Sequence, residues 1–431
     1  MHEGDYTMQL PQAIEKLFEE ADRKLAHHPK LLRMFKQCYV NTLETTTKRM
    51  PDGTTFVFTG DIPAMWLRDS SAQVRHYVPL AKEDETLQSL IEGLLRRQFY
   101  YIGIDPYANA FNAEANDRRY EEDLTELNPW VWERKYEIDS LCYPIELAYA
   151  YWKATGRKEA LDESFRTAAR TIIRLWVTEQ RHFEQSTYRF TRLTGPKSDT
   201  LRNNGMGMPV QYTGMTWSGF RPSDDACTFG YLIPSNMFAA VALGHIAEIA
   251  EAVFQDNYLK RDALALKEEI EYGIETYGTV LHPEFGKIYA YETDGFGNHN
   301  LMDDANVPSL LSIPYLGYKD KDDEVVRNTR RFVLSEHNPY YYVGSQAKGI
   351  GSPHTPHRYI WHIALSMQAL TSGDPDEIWS LIETCLATDA DTGYMHEGFD
   401  VDDPAKFTRS WFAWANSLFA ECVFHWMKLE R

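Results

Sequence analysis

Residues 360–387 read IWHIALSMQALTSGDPDEIWSLIETCLA, and the change of pattern halfway along decides the fold class. The first half, within a segment from Pro356 to Ser372, is apolar nearly all round, as a helix buried on several sides must be. Gly373 stops it, and Asp374-Pro375 supplies an N-cap and a first-turn proline for the amphipathic helix that follows. A buried helix, a short turn and an amphipathic helix make an inner–outer pair.

The same helical period governs most of the chain. Ile14, Leu17, Phe18, Ala21 and Leu25 form one apolar stripe with charged residues between them, predicting an outer helix with one wet face. Further helices are predicted near 30–46, 70–80, 84–103, 138–155, 158–180, 235–255, 258–277, 303–315, 322–334 and 406–428. Strand signals are short and local, as in TTFVFTG from Thr54 and GKIYAYET from Gly286, and predict hairpins beside the helices. A length of 431 residues fits two or three ordinary domains, but a closed ring of helices shares one large core. No Gly/Ser linker or low-complexity tract divides the sequence, so residues 1–431 are expected to form a single domain.

The connections differ in kind. Those near Gly156 and Gly373 are plain turns. Others are dense in Trp, Asp, Arg, Asn and His: TGDIPAMWLRDSSAQ, NPWVWERKYEIDS, TGMTWSGFRPSDD, YETDGFGNHNLMDDAN, GSPHTPHRY and TGYMHEGFD. Helix pairs set in a ring place rich loops on one rim and plain turns on the other, and loops on a rigid scaffold are where functional groups collect. The expected architecture is all-α, a six-hairpin α/α toroid with short accessory β-hairpins and one funnel-shaped site.

Composition narrows the partners. Lys and Arg number 44 against 63 Asp and Glu, a formal charge of −19, which disfavours nucleic acid and anionic membranes. No apolar run reaches the ~20 residues of a membrane span, and the N-terminus has neither a basic start nor an apolar signal core. A cytoplasmic protein is expected. Cys38, Cys142, Cys227, Cys385 and Cys422 are scattered, odd in number and never in a CxxC spacing, so they are read as small buried hydrophobes. Aromatic residues at 13% suit sugar faces, though core packing explains much of that count.

Glycosidic hydrolysis needs two carboxyl groups flanking the anomeric carbon. Asp224 and Asp225 sit between Trp217 and Phe220 on one side and Phe229 and Tyr231 on the other. Adjacent, partly desolvated carboxyls repel, which predicts a raised pKa for at least one, as a general acid requires. The plainer reading is an N-cap with a solvated neighbour. Glu397 stands in a turn bracketed by Gly393 and Gly398, a mount suited to a base. Arg68 and Asp69, walled by Trp66, form a pair able to clamp two vicinal hydroxyls. Asp303 and Asp304 read equally as a cap with a charged neighbour or as a sugar contact. His354 and His357 fit sugar binding or helix capping better than metal, because no His, Asp and Glu cluster has ligand spacing. Trp217, Tyr394 and the His354 loop are candidate pocket walls.

Six stretches carry a family resemblance: DIPAMWLRDSSAQV from Asp61, DPYANAFN from Asp105, WERKYEIDSLCYPI from Trp132, GMTWSGFRPSDDAC from Gly214, MDDANVPSLL from Met302 and YMHEGFD from Tyr394. Together they resemble glycoside hydrolase family 125, the exo-α-1,6-mannosidases. The resemblance implies an (α/α)6 barrel, inversion of configuration, no metal or organic cofactor, and a mannose-containing oligosaccharide such as an N-glycan or mannan fragment as substrate, with no protein partner. It implies Asp224 as general acid and Glu397 as general base; Asp225 stays the competing donor. HTPHRYIWHIAL departs from the family's HTPPNYIWPIAL at His357, Arg358 and His362. Two other readings are a sugar epimerase using His354 with His357 or His362, and a non-catalytic carbohydrate-binding protein.

Overall fold

The computed structural model describes residues 10–429. Residues 1–9, on which the absence of a signal core was partly argued, lie outside them. Twelve α-helices of nine residues or more carry the described architecture: α1 (Gln12–Lys24), α2 (Pro29–Asn41), α3 (Leu67–Arg75), α4 (Glu85–Ile104), α5 (Ile138–Thr155), α6 (Glu163–Glu179), α7 (Ile233–Ile249), α8 (Asn257–Tyr277), α9 (Glu324–Val333), α10 (His362–Leu370), α11 (Pro375–Ala387) and α12 (Ala413–Leu429). The strands have two to four residues each. TTFVFTG and GKIYAYET do form hairpins, Thr47–Arg49 with Thr55–Val57 and Thr279–His282 with Gly286–Tyr289.

Local chemistry sorts the helices into two sets. α4, α6, α8, α9 and α11 begin at an aspartate whose carboxylate accepts backbone N–H groups of the first turn: Asp84, Asp162, Asp256, Asp323 and Asp374. α3, α5, α7 and α10 begin instead directly after Trp66, Glu137, Leu232 and Trp361, with no side-chain cap. These four are inner helices; α1 and α2 also lack a side-chain cap. α3 packs on α5, α5 on α7 and α7 on a short helix, Ile313–Leu316; α10 packs on α12, and α12 returns to α3. The capped helices lie outside, α4 and α6 against each other, α8 along α7 and α11 along α10. The main hydrophobic core runs through them from Ala13 to Met427, with a small separate cluster of Ala64, Trp66 and Ala110.

Three expectations needed correction. The segment 303–315 is not a helix: Asp303 folds back to accept the N–H groups of Leu310 and Leu311, around Pro308, and only Ile313–Leu316 is helical. The helix expected over 406–428 starts only at Ala413, because Gly398–Asp400 and Phe407–Thr408 pair as strands. The continuous helical stretch Ile233–Phe254 is also long and apolar enough to cross a membrane, contrary to the reading that no run is. Its position between α5 and α8 accounts for that composition, since a helix covered on several sides has no face left for polar residues. The cysteines are all free, four buried and Cys227 half-buried.

Candidate active site

The starts of α3, α10 and α12 meet at one pocket. Trp66, Arg68 and Asp69 at the head of α3, Trp361 before α10, and Phe412 and Trp414 at the head of α12 line it together with Asp224, His354 and Glu397. Counting the open space at its mouth, it holds about 380 Å³, of which the enclosed part is small. Helix N-termini present unpaired N–H groups and partial positive charge, which favours carboxylates there.

Arg68 is the centre of that charge system. Its Nη1 donates to Glu137 Oε2 at 2.5 Å and lies 3.3 Å from Asp139 Oδ2, while Nη2 donates to Asp224 Oδ1 at 3.2 Å. Asp69 Oδ2 lies 3.5 Å from its Nε. Four carboxyl groups thus share one buried guanidinium. Burial pushes Asp69 and Asp139 up to about 6 despite the attraction of Arg68. Burial also lifts Glu137 far above the usual carboxyl range, with Arg68 opposing and the charges of Asp224 and Asp139 reinforcing.

Asp224 sits at φ +67°, in a tight turn closed by its own N–H to the Arg221 carbonyl. Left-handed backbone is uncommon outside glycine and tolerated best by Asn and Asp. Of the two adjacent carboxyls, at least one of which was expected to have a raised pKa, Asp224 instead has a lowered one. Burial acts to raise it, but Arg68, a hydrogen bond with Glu137, Lys135 and His354 outweigh it and hold Asp224 well below the usual range. The turn separates the two aspartates: Asp224 faces Arg68, whereas Asp225 faces His354 Nδ1 at 3.1 Å. Burial works against protonation of His354, yet its hydrogen bond to Asp225 and the charges of Asp225, Asp224 and Glu397 raise it to about 9. Asp304 supports the turn from behind by accepting from Ser223 Oγ at 3.2 Å.

Glu397 approaches from another part of the chain. Its neighbour Gly398 pairs with Trp361 across the strands Tyr359–Trp361 and Gly398–Asp400, which fixes the carboxylate at the pocket. Arg409 Nε lies 3.4 Å from Glu397 Oε1.

Other candidates are elsewhere. Trp217 is core: its indole stacks on His182 at 3.6 Å, with Gly207 and Gly230 leaving room for the ring, and it does not line the pocket. Tyr394 is half-buried and also outside the lining. Asp303 is a structural acceptor for Leu310 and Leu311, so neither the cap nor the sugar reading describes it. Among the described residues no histidine pair faces the pocket: His357 is exposed against Tyr342, and His362 is buried with Nε2 on Thr388 Oγ1. That removes the geometry an epimerase needs. Arg358 takes φ +67° and pairs with Asp402 at 2.6 Å, where the family pattern has an Asn suited to that backbone. Glu137, Asp139, Asn306, Trp361, Arg409 and Trp414 were missed as site residues. The first two stand in a stretch already marked as rich, at the start of an apolar helix.

Behind the turn lies a larger cavity, about 1570 Å³ when its open mouth is counted in the same way. Asp225 and Ala226 face it on one side of the turn, and Met208, Phe229, Asn300 and Tyr340 line it further out.

A pocket with carboxyl groups from separate loops, aromatic walls and an Arg-Asp pair at its base belongs to the glycosidase class. The sequence profile of the metal-independent α-mannosidases of glycoside hydrolase family 125 matches residues 28–424, and the chain belongs to that family. It is 50% identical to a Streptococcus pneumoniae metal-independent α-mannosidase solved in a non-productive complex with α-1,6-mannobiose; the match covers 97% of this chain and 99% of that one, with a TM-score of 0.95. It is 41% identical to the meiotically up-regulated gene 157 protein of Schizosaccharomyces pombe, over 96% of this chain and 85% of that protein. A wild-type glycosidase at 11% identity shares the fold, with a TM-score of 0.57 over 93% of this chain and 98% of its own.

Proposed function

We propose that the protein is an exo-acting, inverting α-1,6-mannosidase built as one (α/α)6 catalytic domain. The observation that carries the mechanism is that Asp224 and Glu397 reach one pocket from two separate loops, with Arg68 and Asp69 at its base. Asp224 gives a proton to the departing oxygen, and Glu397 takes one from the attacking water. The circuit of inner helices returning from α12 to α3, and the main core extending from Ala13 to Met427, support the barrel and the one-domain reading. The α-1,6 linkage rests on the likeness to the Streptococcus pneumoniae enzyme and its mannobiose.

Proton NMR of the enzyme with α-1,6-mannobiose tests the reaction. β-Mannose should appear before mutarotation. First-formed α-mannose overturns inversion, and no cleavage of this or other mannobioses overturns the function. The site of action we propose is the cytoplasm, on short oligosaccharides, in keeping with five free cysteines. Fractionation that finds the activity outside the cytoplasm contradicts this.

The leaving arm of a longer substrate runs past the Asp224–Asp225 turn into the larger cavity, where Tyr340 offers a ring to a sugar face. Tyr340→Ala should lower kcat/KM on α-1,6-linked mannotriose and longer chains by about 5–10-fold, the loss of roughly 1 kcal/mol of aromatic contact, and leave mannobiose within about twofold. Equal losses on both substrates refute that path.

A further inference from the structure

Asp224 is ionised in the resting site, held so by Arg68 at 3.2 Å, although a general acid must carry a proton when the glycosidic oxygen leaves. The proton has to come from nearby. The same guanidinium holds Glu137 at 2.5 Å, Asp139 at 3.3 Å and Asp69 at 3.5 Å, all buried. One positive charge cannot balance four carboxylates in a low-dielectric interior, so the cluster retains a proton at neutral pH. Lys135 and His354 add positive charge beside Asp224, and Arg409 beside Asp69, but none of them bonds to Glu137: Lys135 Nζ donates to the Asp224 carbonyl and to Asp199 at 2.8 and 2.9 Å and lies 3.7 Å from Glu133, and His354 pairs with Asp225 at 3.1 Å.

The place of the proton follows from the partners. Glu137 Oε2 already accepts from Arg68 and from Ser140 Oγ at 2.8 Å, while Oε1 has only a long contact of 3.5 Å with Asn109 Nδ2. Oε1 is therefore the oxygen free to carry hydrogen. Asp139, by contrast, faces Arg68 and Ser235 Oγ, and Asp69 faces the pocket. Glu137 and Asp224 sit on the two terminal nitrogens of one guanidinium, Nη1 and Nη2, side by side.

We propose that Glu137 is a positioning residue that stores the catalytic proton and passes it to Asp224 when the substrate arrives. The proposal rests on Asp224 as the acid. The balance is simple. Glu137 gives its proton to the Asp224 carboxylate, and Asp224 gives a proton to the glycosidic oxygen as the C–O bond breaks. Water adds to the anomeric carbon and loses a proton to Glu397. Glu397 then releases that proton to solvent, and solvent restores one to the Glu137–Asp224 pair.

Glu137→Gln keeps the shape, an oxygen for Arg68 and a donor for Asp224, but stores no proton. Its kcat/KM on α-1,6-mannobiose should fall by about 100-fold or more, the scale of one general-acid contribution. On 2,4-dinitrophenyl α-mannoside, whose leaving group needs no proton, it should stay within about threefold of wild type. The alkaline limb of the mannobiose pH profile should move to lower pH, because the proton left in the cluster is held by weaker sites. Equal losses on both substrates indicate a merely structural role and overturn the proposal, as does no loss on either. Wild-type enzyme that cleaves neither substrate refutes the functional reading instead. If the variant does not fold, ¹³C NMR of wild-type enzyme labelled at the glutamate side-chain carboxyl decides: one resonance should remain protonated at pH 7.5, and its absence overturns the proposal.

Discussion

Glu397→Gln should lower kcat on α-1,6-mannobiose by on the order of 10³-fold, the range for removing one general base. The melting temperature should move little. The amide is nearly isosteric, and its oxygen can keep the contact that Arg409 Nε makes at 3.4 Å with the native carboxylate. KM should change less than about threefold, since the lost function is made in the transition state rather than in binding. The same change ought to spare no substrate, because water activation is needed whatever group departs. That separates Glu397 from Glu137, whose loss a good leaving group bypasses. Retention of more than a tenth of wild-type kcat means that another residue activates the water.

The fold was more legible than the state of the site. The aspartates before the outer helices announce them, and Asp374 before α11 was read from the sequence alone. Inner helices α5, α7 and α10 show the opposite signature, largely apolar with no capping residue, whereas α3 is buried but carries the polar side chains of the site. Where the sequence misled, a local cue had a distant cause. Trp217 looked like a loop tryptophan for a sugar face, but His182 covers its ring. The segment after Asp303 has helical composition, yet the carboxylate binds N–H groups seven and eight residues on and bends the chain. Asp224 was placed correctly at the pocket, but its charge state depends on Arg68, 156 residues earlier in sequence. Adjacency to Asp225 was visible and matters less, because the turn sends the two side chains to different partners.

Arg68→Met should be the most destabilising change at this site. Methionine fills much of the aliphatic volume but leaves Glu137, Asp139, Asp69 and Asp224 without their shared cation. Breaking a buried ion network by deleting one partner costs about 3–5 kcal/mol, which for a chain of this size lowers Tm by roughly 3–6 °C. The loss should depend on pH in a definite direction. Without Arg68, burial raises the folded-state pKa of Asp69, Asp139 and Glu137 further and removes the main attraction that holds Asp224 low, so the folded protein binds more protons than the unfolded chain. Stability then falls as pH rises. Asp69 and Asp139, already pushed up to about 6 with Arg68 present, give wild type a milder version of that slope as pH rises from the unfolded values near ~4. The variant should therefore lie furthest below wild type near pH 8 and approach it near pH 5, where the buried carboxyls accept protons and no longer need a counter-ion. Arg68→Lys should be intermediate in stability and still poor in catalysis. A compact ammonium restores charge but cannot hold Glu137 and Asp224 on two parallel nitrogens. Thermal melts of the three proteins at pH 5, 6.5 and 8 check this. A Met variant as stable as wild type at pH 8, or equally destabilised at every pH, shows that Arg68 does not balance the carboxyl cluster.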